Sequence, residues 1–566
     1  MEEAKVFPLQ TLANHYILTT MTHKKILIIG GVAAGATAAA RARRLDEHAE
    51  ITLLEKGEYV SFANCGLPYY VSRDIVNRSS LLLQTPEGFF SRYRVDVRLG
   101  HEAVSIDAQA KRVKARTAEG EVEFAYDKLI LGQGGNPIAP ALPGANLSHV
   151  FQLWTVPDVD RIHQFIDEQK PARAVVVGAG FVGLEMVEAL IKRGVQVSLV
   201  ELAPQVMVQL DPEFASMVRE DLEESGVQMH LGSALAEISE HEVTLGNGEK
   251  VPADLVLLSI GVRPELALVK NAGLVLGASG ALLVNDFLQT SDEHIFAAGD
   301  MIEVTHKVHG KKMRMPLAGP ANRQGRIAAT NALGGKLAYR GAIGTSVVKL
   351  FEHVAASTGL SEKAAREALL DVGIAYVFKD HHAGYYPGAK PLALKIVYDK
   401  KTSRLLGGQA YGQEGVEKRV DVLATALQGC MTLEDLTELD LAYAPPFSSA
   451  NDPVNLAGFI GQNHISGFSP LVTPLEALQA YETGEALILD VRTVGEQSKA
   501  PLDGVLHIPS DEVRDRLEEI PRTRPIHIVS KDGFLGHLVS RTLQAEGFAH
   551  VYNLAGGFAA LRHFGG

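Results

Sequence analysis

The sequence contains one pattern twice: an apolar strand, a glycine-rich turn, a helix, a second strand and then an acidic residue. The first copy starts with residues 25–35 (KILIIGGVAAG) and ends at Glu55. The second copy has its turn at residues 178–183 (GAGFVG) and ends at Glu201. This order is typical of a dinucleotide-binding βαβ unit, in which glycines let the backbone approach a pyrophosphate and the acid binds ribose hydroxyls.

Two such units in one chain predict two bound dinucleotides, a flavin on the first unit and a nicotinamide on the second. The first turn has Val32 in place of the middle glycine, whereas the second turn is complete. Leu-Ala-Pro follows Glu201, and no arginine is near it in the sequence. A carboxylate there accepts a hydrogen bond from a 2′-hydroxyl and repels a 2′-phosphate, so NADH is favoured over NADPH, which stays possible.

A third apolar strand, within residues 290–300 (TSDEHIFAAGD), follows the second unit. We expect it to return the chain to the first unit and to place Asp300 on the flavin. The first domain is then discontinuous. The expected boundaries are 1–21 for an N-terminal extension, 22–150 and 256–345 for the FAD-binding domain, and 151–255 for the NAD-binding domain.

The composition excludes several classes of protein. The chain has 566 residues, enough for three to four domains at roughly 150 residues each, and a formal net charge of −13. An acidic balance argues against a nucleic-acid-binding surface, and no apolar run reaches the roughly 20 residues that cross a bilayer. The two cysteines, Cys65 and Cys430, exclude a disulfide scaffold and a cysteine metal site and are typical of a reducing, cytoplasmic compartment.

Cys65 lies in residues 61–70 (SFANCGLPYY), shortly after Glu55. A lone cysteine is most often a small buried residue, but this position is expected to bring the thiol near the flavin, which can pass two electrons to sulfur. A helix N-terminus beside it would lower the thiol pKa. Because no second cysteine is near, its redox partner must be exogenous, as a mixed disulfide, a persulfide or a sulfenic acid. Cys430, at a predicted helix end, is expected to be a buried structural residue.

After about residue 345 the pattern changes to apolar alternation, which predicts antiparallel strands. Helices are predicted over 415–429 and 433–439. Residues 461–470 (GQNHISGFSP) are predicted to be a linker. A compact α/β segment follows, with strands predicted over 486–491, 526–530 and 550–554 and a helix over 538–546.

Residues 22 to about 460 resemble the single-cysteine flavoprotein disulfide reductases, most closely the coenzyme A-disulfide reductase family. The motifs that carry the resemblance are GGVAAGATAAARARRLDE, SFANCGLPYY, GAGFVGLE, the AAGD run and LAYAPPFSSANDPVN. The C-terminal segment resembles a rhodanese domain through its LDVR, HIP and NLAGG motifs. The resemblance implies an α/β fold with two Rossmann-like dinucleotide-binding domains, an α+β dimerisation domain over 346–460 and a rhodanese-like α/β domain over 471–566.

The resemblance also implies a role for each matched residue. Cys65 would be the redox nucleophile that forms a mixed disulfide with coenzyme A. Tyr443, with Tyr385 or Tyr386, would reach the partner subunit's site in a homodimer and protonate the departing thiolate. FAD would lie against Gly30, Gly31, Ala33, Ala34, Gly35, Glu55, Ala103, Gly299 and Asp300. The nicotinamide nucleotide would lie against Gly178, Gly180, Gly183, Glu201 and Gly261, and coenzyme A against Thr37, Arg41, Arg44, Ser61 and Asn64.

The loop of the rhodanese-like segment departs from the pattern of an active rhodanese, Cys-x-x-Gly-x-Arg. Residues 530–535 read SKDGFL, so Ser530 replaces the sulfur carrier and Leu535 replaces the arginine. Serine cannot hold a persulfide at neutral pH. The hypothesis is a domain that binds or docks but transfers no sulfur.

The sequence leaves the acceptor open among coenzyme A disulfide, coenzyme A persulfide and polysulfide. Two other functions also stay open. One is NADH oxidase or peroxidase chemistry, in which Cys65 cycles through a sulfenic acid. The other is a redox-sensing flavoprotein whose rhodanese-like domain only binds a partner.

Overall fold

The first dinucleotide unit forms a five-stranded parallel sheet, in a computed structural model that describes residues 23–564. Across the sheet the strands are Ile295–Ala297, Lys128–Leu131, Lys25–Ile29, Glu50–Leu54 and Val95–Arg98. Residues 295–297 thus return the chain to the first unit, as the sequence predicts. The extension predicted over residues 1–21 lies outside the described residues.

Two helices, Ala33–Leu45 and Ala318–Ala332, pack against each other on this sheet. Their approach is close because Gly325 has no side chain: a Cβ there would overlap the Ala34 carbonyl oxygen. The domain also contains helices Leu67–Val71, Pro86–Tyr93 and Ala267–Asn271, the antiparallel strands Glu102–Asp107, Arg112–Thr117 and Gly120–Ala125, and the strand pairs Gly135–Pro137 with Val262–Pro264 and Glu303–Thr305 with Lys312–Arg314.

The second unit forms another five-stranded parallel sheet. Its strands, in order, are Gln228–His230, Gln196–Val200, Arg173–Val177, Leu255–Leu258 and Val150–Phe151. Its helices are Val156–Gln169, Phe181–Lys192 and Pro212–Glu224, and a small antiparallel sheet contains Leu235–Ile238, Glu242–Leu245 and Lys250–Pro252. The predicted boundary after residue 255 divides a strand that belongs whole to this sheet, since residues 255–258 pair with residues 174–177.

The third region is an antiparallel sheet with helices on it. The strands, in order, are Ser346–Leu350, His353–Gly359, Leu405–Gly412, Pro391–Asp399 and Val372–Asp380. The helices are Glu362–Glu367, Val416–Gln428, Leu433–Glu438 and Pro453–Ile465.

The helix Pro453–Ile465 runs into the segment 461–470, so the linker prediction is wrong for its first half. Gly461, in the predicted linker, and Gly458, which precedes it, allow this helix to pack closely instead. A Cβ at Gly461 would lie 2.8 Å from the Leu433 side chain, and one at Gly458 would lie 3.1 Å from Leu436.

The C-terminal segment forms a parallel sheet of its own. The strands, in order, are Leu471–Val472, Val551–Leu554, Ile526–Val529, Leu487–Asp490 and Leu506–His507, and the helices are Pro474–Glu482, Val494–Lys499, Phe534–Ala545 and Gly557–Leu561. Within residues 23–564, no helix combines the length and apolar character needed to cross a membrane.

This C-terminal domain packs against the rest of the chain. A Cβ at Gly556 would lie 2.9 Å from the Phe378 ring and 3.0 Å from Cβ of Tyr376, both on the antiparallel sheet. His563 Nδ1 lies 2.8 Å from Glu220 Oε1, on a helix of the second unit. The domain therefore contacts both the second unit and the third region.

A buried ionic cluster joins the second unit to the antiparallel sheet. The Lys395 side chain is fully buried, and its Nζ lies 2.9 Å from Asp211, 2.6 Å from Glu213 and 2.8 Å from Glu362. The Tyr376 hydroxyl donates to Glu213 at 2.6 Å. A charge this deeply buried is tolerated only because its partners surround it.

Lys395→Met is expected to lower the free energy of unfolding by about 3–5 kcal/mol, because it leaves buried carboxylates without their cation. Lys400→Met is the matched control: its pair with Asp371, at 3.0 Å, is exposed on both sides, so about 0–1 kcal/mol is expected. Urea unfolding followed by circular dichroism measures both. Equal losses in the two variants would contradict a supporting role for the cluster.

Candidate functional site

The two glycine turns are built alike down to their hydrogen bonds. Glu55 accepts from the Gly31 N–H at 2.7 Å and from the Gly57 N–H at 2.8 Å. Glu201 accepts from the Ala179 N–H at 2.7 Å and the Ala203 N–H at 2.8 Å. Each carboxylate is thus fixed at the carboxyl end of its strand, beside the turn where a pyrophosphate would bind.

Glycine is required at the first position of both turns. Gly30 has φ +95° and Gly178 has φ +105°, in the region that side chains rarely adopt. A Cβ at either glycine would overlap a carbonyl oxygen of the neighbouring strand end, that of Gly132 or Ser259. Space is open above Gly180, where no heavy atom lies within 4 Å of a Cβ position. The second turn therefore has room for a phosphate to approach the backbone.

The structure brings the predicted FAD residues together. Most stand at the carboxyl end of the first sheet. Gly299 follows the strand Ile295–Ala297, and its N–H donates to Gln324 Oε1 at 2.8 Å. Ala103 lies on the adjoining antiparallel sheet, close to Glu55, because the His101 N–H donates to the Glu55 carbonyl at 3.0 Å.

Asp300 follows Gly299 and is largely enclosed. Burial raises its pKa to about 6, although the positive charge of Arg314 lowers it in part. The protonated carboxyl group is therefore still populated near neutral pH, where an exposed aspartate would be ionised.

A cavity of about 1020 Å³ contains residues from both dinucleotide units and from the third region. Cys65 and Asp300 reach it from the first unit, and Glu185 reaches it from the second. Other residues around it include Ala33, Asn64, Gly180, Phe181, Gly261, Arg323, Asp421, Thr425 and Gln428. A thiol and three carboxyl groups, those of Glu185, Asp300 and Asp421, thus share one space with both glycine-rich units.

Cys65 stands in a 3-10 turn, Asn64–Gly66, immediately before the short helix Leu67–Val71, and its side chain is exposed. Although the side chain is exposed to the cavity, the cavity walls partly shield the thiol from water. This partial desolvation, followed by the charges of Glu185 and Asp300, raises the pKa of Cys65. The expected lowering by a helix N-terminus is therefore wrong for the chain by itself. A five-residue helix provides a weak dipole, and two acidic neighbours oppose it.

The residues predicted to contact coenzyme A lie along and beside the helix Ala33–Leu45. Thr37 donates to Asn322 Oδ1 at 2.7 Å, and Arg41 donates to Thr330 Oγ1 at 3.1 Å. Burial and the nearby charges of Arg326 and Arg44 lower the pKa of Arg41. Positive groups that repel one another in this way are suited to bind an anion.

Ser61 and Asn64, also predicted to contact coenzyme A, lie in the segment that leads to Cys65. The Ser61 N–H donates to the Gly31 carbonyl at 2.8 Å, and Asn64 Oδ1 accepts from the Cys65 N–H at 3.2 Å. Sequence reasoning missed Arg326, whose charge acts on Arg41 from the neighbouring helix, and Arg323 on the same helix, which lines the cavity of Cys65. Their spacing of three residues in ANRQGR would place them on one helical face.

The predicted tyrosines pair with each other rather than with Cys65. The hydroxyls of Tyr385 and Tyr443 are 3.3 Å apart, and the two side chains are 76% and 48% exposed. Neither lines the cavity that contains Cys65. Tyr386 packs edge-on against the ring of His382 at 5.5 Å, so Tyr385 is the partner of Tyr443.

Cys430 is exposed, which contradicts the expectation of a buried structural residue. It has φ +56° just beyond the helix Val416–Gln428. Its sulfur lies 3.4 Å from Arg404 Nη2 and does not line the cavity. Among residues 23–564, no group of three His, Cys, Asp or Glu side chains is placed to hold a metal ion.

Comparison with known proteins decides the family. Residues 24–325 match the pyridine nucleotide-disulphide oxidoreductases, residues 345–453 match the dimerisation domain of the same family, and residues 473–563 match the rhodanese-like domain. The chain belongs to the pyridine nucleotide-disulphide oxidoreductase family. This confirms the resemblance and the fold class inferred from the sequence.

Relatives of this oxidoreductase include coenzyme A disulfide reductase of Staphylococcus haemolyticus, 34% identical over 77% of this chain and 99% of the relative. Among solved structures, reduced CoADR-RHD of Bacillus anthracis has a TM-score of 0.93 and 42% identity, covering 96% of this chain and 98% of that one. An NAD-dependent persulfide reductase from A. fulgidus has a TM-score of 0.89 and 36% identity, covering 95% and 99%. The oxidoreductase is thus similar to both structures over its C-terminal domain as well. Enzymes of this family use FAD and NAD(P)H.

Glu201→Ala in this oxidoreductase is expected to lower kcat/KM for NADH by about tenfold, the scale of losing a charged hydrogen-bond acceptor. The kcat/KM for NADPH should stay unchanged or rise, because the carboxylate that repels a 2′-phosphate is gone. Steady-state kinetics with both nucleotides measure the ratio. Glu223→Ala, which removes an acid paired with Arg219 on the surface, is the control. An unchanged NADH preference in Glu201→Ala would contradict the assignment.

Proposed function

We propose that the protein is an FAD-dependent reductase that uses NADH to reduce sulfur linked to coenzyme A, with Cys65 as its redox-active residue. The observation that carries the proposal is the position of this thiol. It is exposed in a cavity that residues of both glycine-rich units line, together with the carboxyl groups of Glu185 and Asp300. The names of the relatives, coenzyme A disulfide reductase and persulfide reductase, support the same substrate class.

The residues present fit both nucleotides. FAD would be held by the first turn and by the segments beside it: Gly30, Gly31, Ala33, Ala34, Gly35, Glu55, Ala103, Gly299 and Asp300. NADH would be held by Gly178, Gly180, Gly183, Glu201 and Gly261. The open space above Gly180 and the two fixed carboxylates support this assignment. FAD, when bound, supplies the transfer of two electrons from the nicotinamide to sulfur.

The proposed chemistry at Cys65 is thiol–disulfide exchange. Its thiolate attacks one sulfur of coenzyme A disulfide, a bond forms between Cys65 and coenzyme A, and the other coenzyme A leaves as a thiolate that takes up a proton. Two electrons from NADH then cleave the mixed disulfide. One NADH and one proton thus convert one disulfide into two thiols. With coenzyme A persulfide as the substrate, one NADH and one proton yield coenzyme A and hydrogen sulfide.

Coenzyme A would be bound by Thr37, Arg41, Arg44, Ser61 and Asn64. The arginines would meet its phosphates, and the row from Ser61 to Asn64 would lead its sulfur to Cys65. The described contacts of Thr37 and Arg41 with the neighbouring helix support this, since they hold both side chains in place.

The proposed active unit is a cytoplasmic homodimer. The match to a family dimerisation domain supports the dimer. Tyr385 and Tyr443 would reach the partner subunit's cavity and protonate the departing thiolate. Their exposure and their absence from the cavity of their own chain support a role outside it. Two unpaired cysteines support a reducing compartment.

Cys65→Ser is expected to retain FAD and to lose NADH oxidation with coenzyme A disulfide or persulfide by more than about 100-fold. Cys430→Ser is the matched control and should keep its turnover, because that thiol lies outside the cavity. The intact mass of each protein, before and after thiol reduction, tests for a coenzyme A adduct on Cys65. Retained turnover in Cys65→Ser would overturn the proposal. Faster reoxidation by peroxide than by either coenzyme A substrate would favour the peroxidase alternative.

We also propose that the rhodanese-like domain transfers no sulfur. Ser530 is fully buried, and its hydroxyl accepts from the Gly533 N–H at 3.0 Å. A hydroxyl at this position lacks the acidity of a thiol.

The unmodified chain is expected to lack sulfurtransferase activity from thiosulfate to cyanide. Ser530→Cys combined with Leu535→Arg, which restores both residues of the active pattern, is the comparison variant and should accept labelled sulfur from thiosulfate on a peptide of the C-terminal domain. Labelled thiosulfate and peptide mass mapping measure both. Sulfur transfer by the unmodified domain would contradict the proposal.

A further inference from the structure

Glu185 is a carboxyl group that the chemistry above does not use, although it lines the same cavity as Cys65. It lies on the helix Phe181–Lys192, one turn beyond the glycines of the second unit. The nucleotide turn and this carboxyl group are therefore carried by one rigid element.

The Tyr69 hydroxyl fixes this carboxyl group. It donates to Glu185 Oε1 at 3.1 Å. Tyr69 belongs to the short helix Leu67–Val71, which follows Cys65 directly and packs against the helix of Glu185. The two residues thus tie the cysteine segment of the first unit to the nucleotide-binding helix of the second.

We propose that Glu185, oriented by Tyr69, controls the charge state of Cys65 and so decides when this residue is a nucleophile. Glu185 is a positioning residue here, because it acts through the thiol and not on the reacting bond. The inference rests on the proposed function only in taking Cys65 to be the reacting thiol.

The charged groups around the thiol agree with this role. Those that act on the pKa of Cys65 are Glu185 and Asp300, both acidic, and with partial burial they raise it. Arg323 and Asp421 line the same cavity, and the Tyr69 hydroxyl is close enough for the charge of Cys65 to act on it. Burial also raises the pKa of Glu185, and the charge of Glu188 adds to this, whereas the hydrogen bond from Tyr69 favours its ionised form. Arg314 acts on Asp300 instead. The thiolate is the reactive form of cysteine, so these acids hold the resting residue in its less reactive form.

Glu188 provides a matched control on the same helix. Its carboxylate lies 2.9 Å from Lys192 Nζ and accepts from the Phe351 N–H at 3.0 Å. Glu188→Gln and Glu185→Gln remove the same charge one turn apart, but Glu188 is already occupied by partners outside the cavity.

The test is the pH dependence of alkylation of Cys65 by iodoacetamide, in the FAD-loaded protein. The Cys430→Ser background removes the second exposed thiol. The protein is first reduced and freed of reductant without oxygen, and bound FAD and circular dichroism confirm that each variant is folded. Glu185→Gln is expected to shift the alkylation midpoint to lower pH, with an alkylation rate at neutral pH about fivefold higher, the scale of one nearby charge in a polar site.

Tyr69→Phe removes the hydroxyl and favours a neutral Glu185, so a smaller shift in the same direction is expected. Glu188→Gln should not shift the alkylation midpoint to lower pH, because the charge of Glu188 acts on Glu185 and its removal favours the ionised form of Glu185. An unchanged midpoint in Glu185→Gln, or an equal shift in Glu188→Gln, would overturn the inference. The alkylation assay uses no coenzyme A substrate, so its outcome is separate from that of the turnover assay on Cys65→Ser.

Discussion

Two helices in this protein start in close contact with the strands that precede them, because the glycines at the contact have no side chain. A Cβ at Gly35 would overlap the Gly30 carbonyl, and a Cβ at Gly183 would overlap that of Gly178. Because each helix starts so close to its strand, its free N–H groups face the end of the sheet. The carboxylates of Glu55 and Glu201 then bind the turns from the next strand. Ala33 and Gly180, at the starts of the two helices, both line the cavity, so these close contacts help to fix the position of its walls.

The third region holds this arrangement in place from outside. Lys395 joins the helix Pro212–Glu224 of the second unit to the antiparallel sheet, and Tyr376 supports the same carboxylate, Glu213. The helix Val416–Gln428 of the third region supplies one wall of the cavity. A cysteine between two nucleotide-binding units needs such support, since electron transfer to sulfur requires the units to keep their spacing.

Local patterns identified most of the fold from the sequence, because they depend on near neighbours. The turn residues, the paired acids and the return of residues 295–297 to the first sheet follow from strand and glycine patterns. The helix through Gly458 and Gly461 was missed, since glycine marks a linker and a close helix contact equally. Exposure of Cys430 and the acidic surroundings of Cys65 depend on residues distant in sequence. Glu185 is 120 positions away from Cys65, and no local signal indicates that the two share a cavity. The roles of the individual site residues remain predictions.

The C-terminal domain keeps the rhodanese-like fold with Ser530 and Leu535 in its loop. Ser530 is buried beneath the turn at Gly556 and Gly557, where a Cβ on Gly557 would overlap the Ser530 carbonyl. The same turn lies against Tyr376 and Phe378 of the antiparallel sheet. These contacts are made by the backbone of the turn and by two aromatic residues of the antiparallel sheet, so none of them uses the side chain at position 530. Replacement of the carrier cysteine would therefore remove sulfur transfer and leave the docking intact. If the domain transfers no sulfur, as we propose, the reductase would complete its sulfur chemistry at Cys65, where we infer that the acids around the thiol set its reactivity.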